Sequence, residues 1–108
     1  MTELLKAADR VALGVKYLDD EYPGWRSLID IESFSLSSTS NCVLGQVLGS
    51  YYDHELPIGQ IYRYGFDICC WPEEQAEYGI DAEPYSVDNG GREQYDDLQA
   101  EWLKVFAQ

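Results

Sequence analysis

No stretch of this sequence approaches the roughly 18–20 uncharged apolar residues that a membrane-spanning helix requires. Glu3 and Asp9 stand near the N-terminus, where a secretory leader carries positive charge, so a cytoplasmic protein is expected. Cysteine is sparse: Cys42, Cys69 and Cys70 are odd in number, and the adjacent pair cannot bridge without strain. Reduced thiols therefore fit better than a disulfide framework, in agreement with a cytoplasmic setting. Basic residues are scarce as well, with seven Lys and Arg against twenty Asp and Glu and a net charge of -13. Such a surface repels phosphates and anionic headgroups, which argues against direct nucleic-acid or membrane binding. The chain also lacks internal repeats, low-complexity runs, a linker, a phosphate-binding glycine loop and a Ser-His-Asp arrangement.

What is present is enough for one folded unit. A chain of 108 residues suits a single acidic globular domain over 1–108. Its 45% hydrophobic content and fifteen Phe, Trp and Tyr side chains supply apolar area to offset the conformational entropy of folding. The negative charge is concentrated: residues 53–101 hold thirteen acids against only Arg63 and Arg92. The plainest role of that excess is solubility, and a binding surface for a basic protein or a cation is the functional alternative.

Periodicity predicts a mainly α fold, a compact small helical bundle with irregular connections and at most one short strand pair. Over 3–21, Leu4, Ala8, Val11, Val15 and Leu18 recur at helical spacing, with Thr2 as N-cap and Pro23 and Gly24 as the stop. Residues 25–40 follow neither period and read as a packed connection containing Trp25, Leu28, Ile29, Ile31, Phe34 and Leu36, with one helical turn opened by Asp30. Ser40 or Asn41 can cap a second helix over about 42–52, on which Leu44, Val47, Leu48 and Tyr51 share a face. Gly45 and Gly49 cost this helix propensity, so close approach of another backbone is expected there. Pro57 can open a short helix closed by Gly65, with Ile58, Ile61 and Tyr62 inward. Pro72, with Glu73 and Glu74, opens another that Gly79 ends. Residues 80–88 alternate weakly as a short strand. Asp88 or Asn89 precedes a last helix over about 91–107, whose Tyr95, Leu98, Trp102, Val105 and Phe106 should pack antiparallel or at an angle on the first helix.

Several residues carry a pattern between them: Tyr17, Leu18 and Asp19; Pro23, Gly24 and Trp25; Ile29 and Asp30; Leu36, Ser37 and Ser38; the run Asn41, Cys42, Val43, Leu44, Gly45, Gln46; Gly65 and Phe66; and Leu98 with Trp102. Together they resemble a group of small proteins encoded by actinobacterial phages and their hosts. The resemblance covers roughly 10–66 and the last helix, and the acidic stretch 67–90 lies outside it. It implies a phage or prophage setting and carries over no catalytic or binding residue.

Four chemistries can be weighed on the residues themselves. Cys42 at a helix N-terminus, with His54 as base, could form a cysteine hydrolase, although twelve residues of helix and turn separate them, and a small buried hydrophobe is the plainer reading of Cys42. Cys42, His54, Cys69 and Cys70 lack zinc-ligand spacing. Asp81, Glu83 and Asp88 lack the pattern of a calcium loop, so no metal and no cofactor are expected. Aromatics among acids, namely Tyr62, Tyr64, Trp71, Tyr78 and Tyr85, can anchor a protein partner. The expected function is thus a non-enzymatic protein-interaction module that modulates a host or phage protein. Its candidate binding residues are Trp71, Glu73, Glu74, Glu77, Tyr78, Asp81, Glu83 and Tyr85. Acidic mimicry of nucleic acid, blocking a DNA- or RNA-binding protein, is the alternative, and the hydrolase is the second one.

Overall fold

The first helix begins where an acid can reach back to its open end. In the computed structural model of the protein, which describes residues 4–82 and 91–107, α1 spans Ala7–Glu21. Asp9 Oδ2 accepts the Lys6 backbone N–H at 3.1 Å, satisfying one donor that no helical carbonyl can reach. The helix therefore starts later than the apolar spacing predicts, and Thr2 lies outside the described residues. Leu5 explains the delay. Its N–H donates to the Gly79 carbonyl at 2.7 Å and its carbonyl accepts the Asp81 N–H at 2.8 Å, forming one parallel bridge with Ile80. Backbone groups used in that way are unavailable to a helix. The strand expected over 80–88 is reduced to this bridge at its start, since residues 83–88 lie outside the described part.

The expected stripe on α1 holds for Val11, Val15 and Leu18 but fails at its N-terminal end, where the buried face is wider and includes polar and small residues. Leu4 and Ala8 are exposed, whereas Arg10, Val11, Gly14 and Leu18 are buried. Gly14 and Arg10 account for the difference. A Cβ at residue 14 would collide with the Tyr64 carbonyl oxygen and stand 3.0 Å from Trp102 Cζ2, so only glycine lets α1 approach that loop and the last helix. Arg10, with no exposed surface, extends its guanidinium into the same seam. There Nε donates to the Tyr62 carbonyl at 2.8 Å, Nη1 to Gln94 Oε1 at 2.9 Å and Nη2 to the Asp67 carbonyl at 2.9 Å.

The remaining elements follow in order. Gly24 opens a 3-10 turn over Trp25–Leu28, where Asp30 was expected to open one. Asp30 instead accepts the Glu32 N–H at 3.2 Å, and its backbone is bracketed by the Gln46 amide. Trp25, Phe34 and Leu36 of this connection are buried, while Leu28 and Ile31 face solvent. Helix α2 spans Val43–Leu48, and its cap is neither Ser40 nor Asn41 but Cys42, whose Sγ accepts the Gly45 N–H at 3.3 Å. It stops short of the expected 52 because Gly49 adopts φ +101, outside helical space, after which Ser50 caps a second 3-10 turn, Tyr51–Asp53. The two glycines thus do different things. Gly45 lies against the 39–40 backbone, where a Cβ would come within 2.5 Å of the Thr39 carbonyl oxygen, and Gly49 terminates.

Helix α3, Ile58–Arg63, follows Pro57 and buries Ile61, whereas Ile58 is solvent-facing because it stands at the exposed first position. Helix α4, Pro72–Tyr78, has Pro72 in its first turn and ends at Gly79 with φ +71. Helix α5, Arg92–Phe106, buries Gln94, Leu98 and Trp102. Asp88 and Asn89, expected to precede it, lie outside the described residues, and the residue at its N-cap is Gly91. Arg10 meets Gln94 and Gly14 meets Trp102, so contacts advance in the same direction along α1 and α5. That order fits an angled crossing and not an antiparallel pair. Trp102 is the hub of the core: it stacks on Phe66 at 5.7 Å, meets Trp25 edge-on at 6.2 Å, and donates its indole N–H to the Gly65 carbonyl at 2.8 Å.

Replacing Gly14 by Ala tests the close approach directly. An exposed helical Gly gains about 1 kcal/mol from this change. Overpacking against a fixed carbonyl costs about 1–3 kcal/mol and should outweigh the gain. Urea denaturation should show a net loss of stability, and an unchanged or raised midpoint would mean that the contact is not tight.

Candidate functional site

The expected binding residues divide into a compact group and a remainder. Trp71, Glu73, Glu74, Glu77 and Tyr78 all sit on or beside α4, a helix of seven residues. Glu73 and Glu74 occupy its first turn, where the exposed N–H groups of the helix end favour negative charge. Glu73 and Glu77 are one turn apart and both exposed, so their like charges face solvent together. Trp71 precedes the helix with 58% of its surface exposed. Asp81 is exposed just beyond, and its side chain takes no part in the bridge made by its own N–H. Glu83 and Tyr85 lie outside the described residues.

Tyr78 differs from an exposed anchor. Its ring lies over Gly59 and 5.8 Å from the Tyr62 ring, and its carbonyl accepts Arg63 Nη1 at 2.6 Å. It therefore holds α4 against α3. Inside the same unit, Gln75 is buried and donates its amide to the Cys69 carbonyl at 2.6 Å. The α4 surface is thus an acidic ridge with a Trp at one end, seated on a hydrogen-bonded base.

A second group of residues was not singled out by the sequence reading. Asp67 follows Phe66 on the loop fixed by Arg10, and its carboxylate takes hydrogen bonds from partners other than that guanidinium. Oδ2 accepts the Tyr51 hydroxyl at 2.9 Å and Oδ1 accepts the Ile68 N–H at 2.8 Å. Burial pushes the carboxyl pKa up, opposed by those two hydrogen bonds and by the charges of Arg10 and His54. Burial and the Asp67 charge likewise raise the Tyr51 and Tyr95 phenols. The one sequence signal at this site is a lone acid between apolar neighbours, Phe66 and Ile68.

The thiols take a different form from a nucleophile. Cys42 is buried, its Sγ accepts a backbone N–H, and burial raises its pKa above the usual thiol value despite the helix end. His54 Nδ1 accepts the Leu56 N–H at 3.2 Å and its ring meets Tyr51 edge-on at 5.1 Å. Among the described residues no hydrogen bond joins Cys42 to His54. Cys69 is buried too, and burial with the nearby Glu74 charge lifts its pKa to about 11. Arg10 is pulled the other way, to about 10, by the same loss of solvation. Among the described residues no three His, Cys, Asp or Glu side chains gather as metal ligands, and no helix is long and apolar enough to cross a membrane. No protein family, curated protein or solved structure matches the chain.

Two measurements follow from these environments. Cys70 is the only partly exposed thiol, so iodoacetamide at about pH 8 should modify it first, with Cys42 and Cys69 reacting only as the protein unfolds. Labelling of Cys42 ahead of Cys70 would contradict the burial described. The raised Asp67 pKa means that the folded state holds its proton more tightly than the unfolded state does. Its charge thus lowers stability above the folded pKa, and that penalty is relieved as pH falls towards the ordinary carboxylate value of about 3.9. Asp67→Asn should accordingly gain stability relative to the native protein as pH rises from about 4 to neutrality. A stability difference that is flat across this range would show that Asp67 is solvated.

Proposed function

We propose that this chain is a non-enzymatic interaction module, encoded by a phage or prophage and acting in the host cytoplasm, whose acidic side engages a host or phage protein through a basic surface. The observation that carries the reading is the arrangement of charge on the surface. Asp53, Glu55, Glu73, Glu77, Asp81, Glu93, Asp96 and Asp97 are all exposed. Few cations are placed to neutralise them: Arg10 is buried, Arg63 is half-buried on the Tyr78 carbonyl, and exposed Arg92 is the one other basic residue between 53 and 101. Among the described residues the one ion pair is Lys104 with Glu101, at 2.9 Å. Acidic charge left without partners steers a basic protein and speeds its encounter. The phage setting is supported by the resemblance in the sequence alone.

Nucleic-acid mimicry is the narrower form of the same reading, since exposed carboxylates without counter-cations present a field like that of a phosphate backbone. The hydrolase has no support from the geometry, because the Cys42 thiol is buried and disfavoured as thiolate.

Affinity capture from host lysate, with mass spectrometry of the retained proteins, should yield a basic partner. That partner should elute between about 0.1 M and 1 M salt, as the Debye length falls from about 10 Å to about 3 Å. Glu73→Gln with Glu77→Gln should slow its association and leave its dissociation nearly unchanged. Competition by duplex DNA for the captured partner selects mimicry. Binding that ignores both salt and the double substitution overturns the electrostatic reading.

A further inference from the structure

Away from the residues of α4 in sequence lies a small recess that neither charge counting nor periodicity reveals. Tyr51, Tyr52, Tyr95 and Asp67 line it together with Ser38 and Thr39, and its volume is about 140 Å³. Drug-sized ligands and cofactors occupy about 300–1,000 Å³, so this space is too small for a nucleotide or a sugar chain. It suits the end of one side chain. Tyr51 and Tyr52 meet edge-on at 5.6 Å, and Tyr52, with 76% of its surface exposed, stands at the mouth.

Resting on the proposed binding of a basic protein, we infer that this recess takes the ammonium head of a lysine side chain from that partner. Three features select the ligand. Its walls are tyrosines, and aromatic walls around a carboxylate are the chemistry that recognises ammonium ions. Asp67 supplies a half-buried negative charge, and among the described residues no cation forms an ion pair with it. Arg10 hydrogen-bonds only its backbone carbonyl, so the charges of Arg10 and His54 act on the carboxylate without an ion pair. Burial of that carboxylate already raises its pKa, a penalty that an entering cation relieves.

The occupancy of the two carboxylate oxygens then separates lysine from arginine. Oδ1 is engaged by the Ile68 N–H and Oδ2 by the Tyr51 hydroxyl. A guanidinium binds best to two free oxygens side by side, through a planar pair of N–H donors. An ammonium is a point charge with three rotatable donors, and one remaining lone pair with a neighbouring hydroxyl is enough for it. The Thr39 and Ser38 hydroxyls border the same space.

The test uses the full chain labelled with nitrogen-15 and three small probes: n-butylammonium, n-propylguanidinium and potassium, each as the chloride. Butylammonium should shift the amide signals of Thr39, Tyr52, Asp67 and Tyr95 at lower concentration than either other ion. Asp67→Asn should weaken this binding by about tenfold or more, the loss expected for a hydrogen bond to a charged group. Tyr52→Ala alters only an exposed residue, leaves the fold intact, and should weaken binding by about two- to fivefold. Equal shifts with potassium would make this a simple cation site, and stronger binding of propylguanidinium would assign it to arginine. Either result, or no shift at these amides with any probe, overturns the proposal. A capped lysine-rich peptide separates the two readings: shifts confined to α4 would sink the recess and keep the acidic surface, whereas no binding of the peptide anywhere would remove the support for both.

Discussion

A single buried arginine holds the parts of this protein in register. A guanidinium without solvent must satisfy its donors or destabilise the fold by several kcal/mol. Arg10 does so with two backbone carbonyls, of Tyr62 and Asp67, and with the Gln94 side chain. Carbonyls cannot move without moving the loop to which they belong, so the charge on α1 fixes the path of residues 62–67. Gln94 extends the constraint, because its amide also pairs with both the N–H and the carbonyl of Cys69, at 2.7 and 2.9 Å. Gln75 reaches the same carbonyl from α4. Helices α1, α4 and α5 are thereby tied to one irregular segment by polar side chains, while Trp102 and Phe66 fill the space beneath it.

This arrangement explains which parts of the fold could be read from the sequence. Helix α4 was legible because its ends are marked by local chemistry, Pro72 and two acids at the start and Gly79 at the stop, and α5 because an apolar face runs through Leu98 and Trp102. Local signals sufficed there. Arg10, Gln75 and Gln94 were invisible as core residues, since apolar periodicity treats polar side chains as solvent-facing. The consequence on α1 was that Val11, Val15 and Leu18 were placed inside correctly, while Leu4 and Ala8 were expected there and Arg10 and Gly14 are found instead. The start of that helix also depended on Leu5 meeting Ile80, a contact between distant positions that no local pattern encodes.

The candidate site divides along the same line. The acids of α4 were found because clustering of charge is a property of composition and of adjacent positions. Their exposure could be expected and is observed for Glu73 and Glu77. Tyr78 has a structural role that the sequence did not signal, because its packing on Gly59 and Tyr62 joins two short helices. The recess around Asp67 could not be assembled in advance, since Ser38, Tyr51, Asp67 and Tyr95 come from four separate segments brought together by tertiary packing.

The interior and the surface are therefore linked through one uneven use of charge. Of the seven cations in the chain, Arg10 is withdrawn into the core, where it organises backbone and does not offset the outer acids. The carboxylate nearest to it, on Asp67, is held by a phenol and an amide and not by the guanidinium itself. Direct pairing of Arg10 with Asp67 would have neutralised both groups and closed the recess. The observed geometry instead spends the arginine on carbonyls and leaves the acid facing three tyrosines. A small domain with this surface repels itself electrostatically, which lowers its stability in isolation. Any basic partner that covers the acids stabilises the folded state by mass action, because it binds the folded surface and not the unfolded chain.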